Sequence, residues 1–401
     1  MRKSYQRLRS NSSLWRAWRH VYGSGVSSSD ETRRLLAAFK QDEVRNIDRL
    51  ERQLRSKTFK FGPARGAPIP RPGKDPRPIV VASVEARIVQ RALLEELHGL
   101  PQLKTYFTSP HSFGGVIGRN RAEAIVEVQK ALESGAGFYV RSDISDFFTK
   151  IPRGRALEVL SAPLDPDATS LLDAATYLDL ENAAQIHRHI HLFPTPEVGA
   201  GQGLCLSPLM GNVVLHEFDE LMNGRGIRCI RYVDDFILLG PTEGAVMKAF
   251  DSALRSLDGL GMTAYDPRTN SSKAERGPTR QAIDFLGCLV ERARVQPNRD
   301  ARTRLVDRVK AMLVFSEVRL DDPPRAYRDA ATISRTLYDV GNTVRGWKDS
   351  FNFCVCPDVY AALDDRIDRL VDGYLAKVRA RFGATSQPNR RLLLGIPMLA
   401  S

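Results

Sequence analysis

Cysteine and long apolar runs are both scarce in this 401-residue sequence. Its five cysteines are an odd number and are scattered along the chain, which argues against a disulfide framework. No stretch of eighteen apolar residues is present, so no segment has the length needed to cross a membrane. The first twenty residues contain no apolar segment of the kind that a secretory signal requires. We therefore expect free thiols, no membrane association and a cytoplasmic location.

Acidic residues are also fewer than basic ones. The sequence contains 59 Lys and Arg and 47 Asp and Glu, which gives a net charge of +12. A solvated surface tuned for solubility explains this excess as well as a polyanionic partner does. The hydrophobic content of 42% is that of an ordinary globular protein, and the length is sufficient for two or three lobes. Composition therefore permits a nucleic-acid partner without requiring one.

Apolar periodicity predicts an α+β organisation. Helical spacing is found in the following segments: 29–55, 84–98, 120–134, 204–223, 242–260 and most of the chain after 300. Strands are expected at 137–148, in the two arms of IRCIRYVDDFILLG, and near 263–266 and 283–290.

Three segments are harder to assign from pattern alone. IPRPGKDPRP is rich in proline and basic residues, and we expect a stiff loop there. His187, His189 and His191 alternate, which predicts one face of a partly exposed strand rather than a zinc site. Residues after about 384 are expected to form a partly ordered tail.

The pair Asp234-Asp235 lies between apolar, β-forming residues. Burying adjacent carboxylates is unfavourable unless cations compensate them, although a tight turn would explain an isolated pair. Asp143 also ends an apolar, β-like segment, Phe138–Asp143. Carboxylates at the ends of two strands can converge on a pair of Mg²⁺ ions, which is the arrangement that phosphoryl transfer requires.

With these residues in place, the sequence resembles the reverse transcriptases of the bacterial group II intron and retron lineage. Seven blocks recur in the family's order over roughly residues 60–300, and the similarity is weaker in the C-terminal helices. The resemblance implies a right-hand polymerase fold with fingers, an antiparallel-sheet palm and a helical thumb. The implied domains are an N-terminal helical extension (1–62), fingers (63–139 and 153–198), palm (140–152 and 199–298), thumb (299–383) and a tail (384–401).

The family's motif A resembles Asp143-Ile144 followed by Phe147-Phe148, and its motif C resembles Tyr232-Val233-Asp234-Asp235. The resemblance implies that Asp143, Asp234 and Asp235 are catalytic. It also implies that these three residues and Ile144 bind two Mg²⁺ ions, for which Mn²⁺ can substitute.

Other motifs of the family imply contacts to substrates. The residues assigned to the nucleotide are Lys74, Arg77, Phe148, Gln202, Gly203 and Lys273, with Arg87 a weaker candidate. Those assigned to primer and template are Ser112, Phe113, Gly114, Tyr232, Phe285, Leu286 and Gly287. Arg345-Gly346-Trp347 resembles a thumb motif of the intron-type enzymes.

An aromatic ring at Phe148 would collide with a ribose 2′-hydroxyl, so dNTPs are the expected substrates. The expected activity is RNA-directed DNA synthesis, on an RNA template for which a cognate non-coding RNA is one candidate. Two alternatives share these residues: template-independent or protein-primed nucleotidyl transfer, and a non-catalytic, maturase-like RNA-binding scaffold. No endonuclease or RNase H segment is recognisable, which by elimination favours a compact enzyme of the kind found in phage defence. The sequence carries no signal for an oligomeric state.

Overall fold

The computed structural model describes residues 3–25, 28–71, 73–224, 226–270 and 272–398, without the side chain of Lys74. The chain divides into two compact units. The first contains Met1–Ala124 and Gly135–Pro278, and the second contains Ile125–Ser134 and Thr279–Ser401. The finer boundaries of fingers, palm and thumb stay a prediction.

The first part of the chain, up to Asp258, is built mainly of helices. They are α1 (Ser4–Leu8), α2 (Asn11–Gly25), α3 (Asp30–Gln41), α4 (Glu43–Arg55), α5 (Val84–His98), α6 (Lys104–Phe107), α7 (Arg121–Glu133), α8 (Phe147–Lys150), α9 (Arg153–Ser161), α10 (Pro166–Thr176), α11 (Ser207–Val214), α12 (His216–Met222) and α13 (Glu243–Asp258). The strands of the first unit are β1 (Arg65–Arg71), β2 (Lys74–Val81), β3 (Phe138–Asp143), β4 (Arg228–Tyr232), β5 (Asp235–Gly240) and β6 (Glu275–Pro278).

A four-stranded antiparallel sheet in the order β4-β5-β3-β6 organises the first unit. Strand β5 lies inside the sheet, and its apolar residues from Phe236 to Leu239 are almost completely buried. Helix α13 packs against β3 and β5 through Val246, Phe250 and Leu257. These residues recur at the 3.6-residue period that gives a helix one apolar face. The carboxyl end of β3 is thereby held rigidly beside the start of β5.

The expected loop at IPRPGKDPRP is wrong, because β1 and β2 form an antiparallel hairpin there. Proline cannot donate to a strand ladder and is normally confined to sheet edges. Both strands of a two-stranded sheet are edges, so Pro68 and Pro78 can face each other without interrupting a central ladder. The hairpin gives the basic residues of this segment a fixed strand geometry.

Three further expectations need correction. The helix expected at 204–223 is two helices, because the chain breaks at Leu215 between α11 and α12. No strand spans 263–266, where Ala264 forms only one bridge with Ile144. The three histidines from His187 to His191 lie in a short 3₁₀ helix, not on a strand.

The second unit contains a small sheet and a helical bundle, as the sequence predicts for residues after 300. Its elements are β7 (Ile283–Phe285), β8 (Cys288–Val290), β9 (Val295–Pro297), α14 (Arg299–Glu317), α15 (Pro323–Arg328), α16 (Ile333–Ser350), α17 (Pro357–Ala384) and α18 (Gln387–Leu393). The strands pair antiparallel in the order β7-β8-β9, and α14, α16 and α17 share an apolar core.

Part of the expected tail after 384 is ordered, because Gln387–Leu393 form α18. Leu393 is 1% exposed and packs with Leu320, Ala326 and Ile333. The Ser334 hydroxyl donates to the Leu394 carbonyl over 2.7 Å. Burial of one leucine together with this hydrogen bond is sufficient to fix a helix that begins with a proline-containing turn.

None of the five cysteines forms a disulfide. Within the described part of the chain, no helix is long and apolar enough to cross a membrane.

Candidate active site

The three aspartates singled out by the sequence meet at one end of the four-stranded sheet. Asp143 is the last residue of β3 and lies directly opposite Asp235, the first residue of β5. Asp235 is also paired with Tyr232 at the end of β4, so Val233 and Asp234 form a two-residue turn. The amide of Ile144 donates to the Asp234 carbonyl over 3.1 Å. Strand register therefore brings the three carboxylates together.

The turn itself has an unfavourable backbone conformation. Val233 has a φ of 62°, which is a rare, strained region for a β-branched residue. Gly114 lies directly against it, because a Cβ at Gly114 would be 2.4 Å from the Val233 Cγ2 and 2.6 Å from its backbone nitrogen. Such a turn persists only where its surroundings hold it in place.

Burial raises the pKa of all three carboxyl groups. Burial is the largest cause at each, and neighbouring carboxylates add to it at Asp143 and Asp235. The pKa of Asp235 rises to about 7. At Asp234 the pKa is raised by burial, while hydrogen bonds and the charges of Arg77 and Arg231 partly offset the rise. Because the ionised forms of these carboxyl groups are unfavourable on their own, a nearby positive charge would stabilise them.

A buried polar network that the sequence reasoning missed lies behind the turn. Arg231 is fully buried and donates two hydrogen bonds to the carboxylate of Asp219, at 2.7 and 2.6 Å. Its third nitrogen, Nη1, donates to the Val233 carbonyl at 2.8 Å and to the Asn212 Oδ1 at 3.2 Å. The sequence signal for this network is Arg231 itself, a charged residue between Ile230 and Tyr232 in β4.

The same network fixes the segment assigned to primer and template. Ser112 donates to the Asn212 Oδ1 over 3.1 Å, and Asn212 donates in turn to the Gly114 carbonyl over 3.1 Å. Main-chain hydrogen bonds join Phe113 and His111 to Arg231, each at 2.9 Å. The segment thus runs alongside β4 and reaches the Val233-Asp234 turn, where Tyr232 ends the strand.

The residues assigned to the nucleotide pocket lie on two elements that are bonded to each other. The amide of Val80 in β2 donates to the Gln202 carbonyl over 2.7 Å. Gly203 has a φ of 107°, and a Cβ there would be 3.0 Å from the Val80 carbonyl oxygen. Arg77 lies on the same strand and is exposed. Lys74 begins β2, and its side chain lies outside the described residues.

Phe148 and Lys273 lie on two different segments that both follow Asp143 in sequence. Phe148 follows the end of β3 in the short helix α8, and its carbonyl accepts from Ala200, close to Gln202 in sequence. Lys273 donates to the Tyr265 hydroxyl over 2.6 Å, which raises its pKa. The charge of Lys273 acts to lower the pKa of Asp143, so the lysine lies within electrostatic range of the carboxylates.

The remaining assigned residues belong to the second unit. Phe285 pairs with Cys288, and Leu286 and Gly287 form the turn between β7 and β8. Their φ values of 50° and 79° are both positive, as a tight hairpin turn requires. The turn expected at Phe285-Leu286-Gly287 is therefore present. In the same unit Trp347 donates to the Ala301 carbonyl over 3.3 Å and joins α16 to α14.

The carboxylates suit a hard divalent cation. The buried Oδ1 of Asp143 has no hydrogen-bond partner within the described residues. That part of the chain contains no group of three or more Asp, Glu, His or Cys side chains placed so that they could hold a metal ion. Mg²⁺ does not need one, since it commonly uses one or two carboxylates and takes its other oxygens from water and phosphate. The arrangement thus fits a cation that is shared with a phosphorylated substrate.

Comparison with known proteins identifies the family. Residues 69–290, more than half of the chain, match the family described as reverse transcriptase (RNA-dependent DNA polymerase). The chain belongs to this family and has its fold of helices and antiparallel sheets.

Two curated relatives are more distant. An uncharacterized 91 kDa protein in the cob intron of Schizosaccharomyces pombe is 26% identical over 44% of this chain and 21% of its own length. Protein YkfC of Escherichia coli K12 is 24% identical over 41% of this chain and 42% of its own. The chain therefore spans less than half of the relatives it matches.

A solved structure, a partial Cas6-RT-Cas1–Cas2 complex, is 22% identical over 66% of this chain and 44% of the matched chain. Its TM-score is 0.37, so the family assignment relies on the sequence match.

Proposed function

We propose that this protein is an RNA-directed DNA polymerase that adds dNTPs to the 3′-hydroxyl of a primer paired with an RNA template. The observation that carries the proposal is the register of the sheet. It sets Asp143 opposite Asp235, and a buried oxygen of Asp143 has no hydrogen-bond partner among the residues that the structure describes. Membership of the reverse transcriptase family supports the same chemistry.

The proposed cation ligands are the carboxylates of Asp143, Asp234 and Asp235 and the carbonyl of Ile144. Two Mg²⁺ ions, or Mn²⁺ in their place, would activate the primer hydroxyl and stabilise the leaving pyrophosphate. The raised pKa values of the carboxyl groups support this assignment, because bound cations would favour their ionised forms.

The chain's own residues would position and discriminate the substrate. Arg77 and Lys74 on β2 would hold the triphosphate, with Gln202 and Gly203 forming one side of the pocket. Phe148 would occupy the space that a 2′-hydroxyl needs. Lys273, kept protonated by its hydrogen bond to Tyr265, would donate a proton to the pyrophosphate.

The decisive experiment compares two pairs of adjacent aspartates. Asp234→Asn with Asp235→Asn should abolish incorporation of labelled dNTPs on an RNA template with a DNA primer, in either Mg²⁺ or Mn²⁺. Asp364→Asn with Asp365→Asn, on the exposed face of α17, removes the same charge and should leave the rate unchanged. Full activity in the first variant would refute the site.

Template dependence separates the proposal from its alternatives. Incorporation without RNA would favour template-independent transfer, and label retained on denatured protein would favour protein priming. No incorporation by the wild-type protein with its co-purified RNA would favour a non-catalytic scaffold.

A cognate non-coding RNA, a cytoplasmic location and a role in phage defence stay predictions. Sequencing the nucleic acid that co-purifies with the protein from its own cells tests the first of them directly.

A further inference from the structure

Three cavities of the first unit are linked by lining residues that they share. Their volumes are about 490, 310 and 400 Å³. The first two share Arg49 and Gln53, and the last two share Phe59 and Lys60. The path therefore runs from the last turns of α4 across residues 56–61 to Tyr177 at the end of α10. We call it the α4 groove.

Positive charge dominates the lining of the α4 groove. Five cationic side chains and three carboxylates line the three cavities. Each carboxylate already has a cationic partner: Glu85 pairs with Arg49, Asp167 with Lys57, and Asp173 with Arg153.

The cations Arg52 and Lys60 are both exposed, and neither makes an ion pair within the part of the chain that the structure describes. Arginines in the last turn of a helix also stabilise the helix dipole, which accounts for Arg52 but not for Lys60. An excess of cations beyond the internal pairs is suited to phosphate.

Aromatic rings alternate with these cations. Phe59 and Phe61 are partly buried and meet edge to face with their centroids 5.0 Å apart. Tyr177 is 55% exposed, and the Arg153 guanidinium lies 6.0 Å from its ring centroid. A large exposed ring next to a cation is poorly explained by packing. Cations that follow a backbone and rings on which bases stack are the two features that sites for single-stranded nucleic acid combine.

We infer that the α4 groove binds a single-stranded stretch of RNA, with phosphates at Arg52 and Lys60 and a base stacked on Tyr177. The choice of RNA rests on the proposed function, in which RNA is the template. Double-stranded nucleic acid would use the cations and leave the rings without a role.

The test measures binding of a labelled 20-nucleotide oligo(A) RNA by fluorescence anisotropy, without dNTPs. Removing three cations with Arg49→Gln, Arg52→Gln and Lys60→Gln should weaken binding at least tenfold. It should also reduce the slope of log Kd against log salt by about 1.4, because the two phosphate contacts at Arg52 and Lys60 contribute roughly 0.7 each. Lys248→Gln, Arg255→Gln and Arg276→Gln remove the same charge elsewhere in the unit and should change neither quantity.

Stacking is tested separately at Tyr177. Tyr177→Leu should weaken binding by about five- to tenfold, near the lower end expected for loss of one stacked base. Tyr177→Phe, which retains the ring, should bind as the wild type does. Equal losses in both variants would overturn the stacking assignment.

The inference and the proposed function fail separately. Asp234→Asn with Asp235→Asn should retain RNA binding, and the groove variants should retain dNTP incorporation on a template with a two-nucleotide overhang. Wild-type affinity in the triple groove variant would overturn the inference and leave the polymerase intact. Tighter binding of poly-glutamate than of RNA, lost in the same variant, would overturn it in favour of an acidic protein partner.

Discussion

Replacing Arg231 by methionine separates the stability of the fold from the geometry of the catalytic turn. The substitution leaves Asp219 as a buried carboxylate that is 1% exposed and has lost two charged hydrogen bonds. Removing one partner of a buried ion pair typically reduces stability by about 3–5 kcal/mol. We therefore expect the free energy of unfolding to fall by about that amount in Arg231→Met.

The double variant Arg231→Met with Asp219→Leu removes both charges. Replacing a buried pair by apolar residues is often neutral or stabilising, so most of the lost stability should return. The hydrogen bond from Arg231 to the Val233 carbonyl does not return with it. Because a misplaced catalytic group can reduce the rate by about a hundredfold, incorporation should stay about ten- to a hundredfold below wild type.

Unfolding is best followed in a Trp347→Phe background. The two remaining tryptophans, Trp15 and Trp18, both lie in the first unit, so their fluorescence reports that unit alone. Incorporation is measured at saturating Mg²⁺ and dNTP. A double variant with wild-type activity, or a single variant that loses under about 1 kcal/mol, would refute the proposed role of Arg231.

Three further predictions concern the same site. The raised pKa of Asp235 means that the folded protein binds more protons than the unfolded chain between about pH 4 and 7. In urea titrations, the free energy of unfolding of the metal-free protein should fall as pH rises through that window. The Mg²⁺ concentration that gives half-maximal incorporation should fall over the same window. Values of both quantities that do not change with pH would contradict the prediction. A methyl group in Gly114→Ala would push against Val233 and displace the Val233-Asp234 turn. The variant should therefore lose about 1–3 kcal/mol of stability, and its incorporation should fall at least tenfold. Gly373→Ala, which has open space around the new methyl group, should change neither stability nor incorporation. Phe148→Ala should raise the ratio of ribonucleotide to deoxyribonucleotide incorporation at least tenfold in single-turnover assays, and an unchanged ratio would exclude a steric role for the ring.

The local sequence pattern was sufficient to predict the strands that carry the three aspartates. Phe138, Tyr139 and Val140 begin β3, and β5 is apolar from Phe236 to Leu239. Acidic residues stand where β3 ends and where the turn before β5 is needed, so strand ends and acidic residues coincide. The proline-rich hairpin was not predicted, because strand propensity counts against proline in every strand, whereas proline is tolerated in strands at the edge of a sheet. The C-terminal helix was not predicted because its stability comes from Leu393 meeting residues some sixty to seventy positions earlier.

The polar network behind the turn could not be read from spacing. Arg231, Asp219 and Asn212 lie on three elements, and each residue type alone is ordinary on a protein surface. Their burial is decided by how α11 and α12 pack beside β4, which no local window contains. The histidines at 187–191 show the opposite error, since a period of two suggested a strand where the chain forms a 3₁₀ helix.

The main-chain bond between Val80 and Gln202 has a mechanical consequence. It joins the hairpin that carries Arg77 to the loop that carries Gly203, so that the two sides of the proposed nucleotide pocket cannot separate at this point without straining the bond. An opening of the pocket for nucleotide exchange must either break this 2.7 Å bond or pivot at a hinge outside both segments. Hydrogen exchange of the Val80 amide distinguishes the two cases. The amide should exchange slowly if the pocket opens at a hinge elsewhere, and quickly if opening breaks the bond to Gln202.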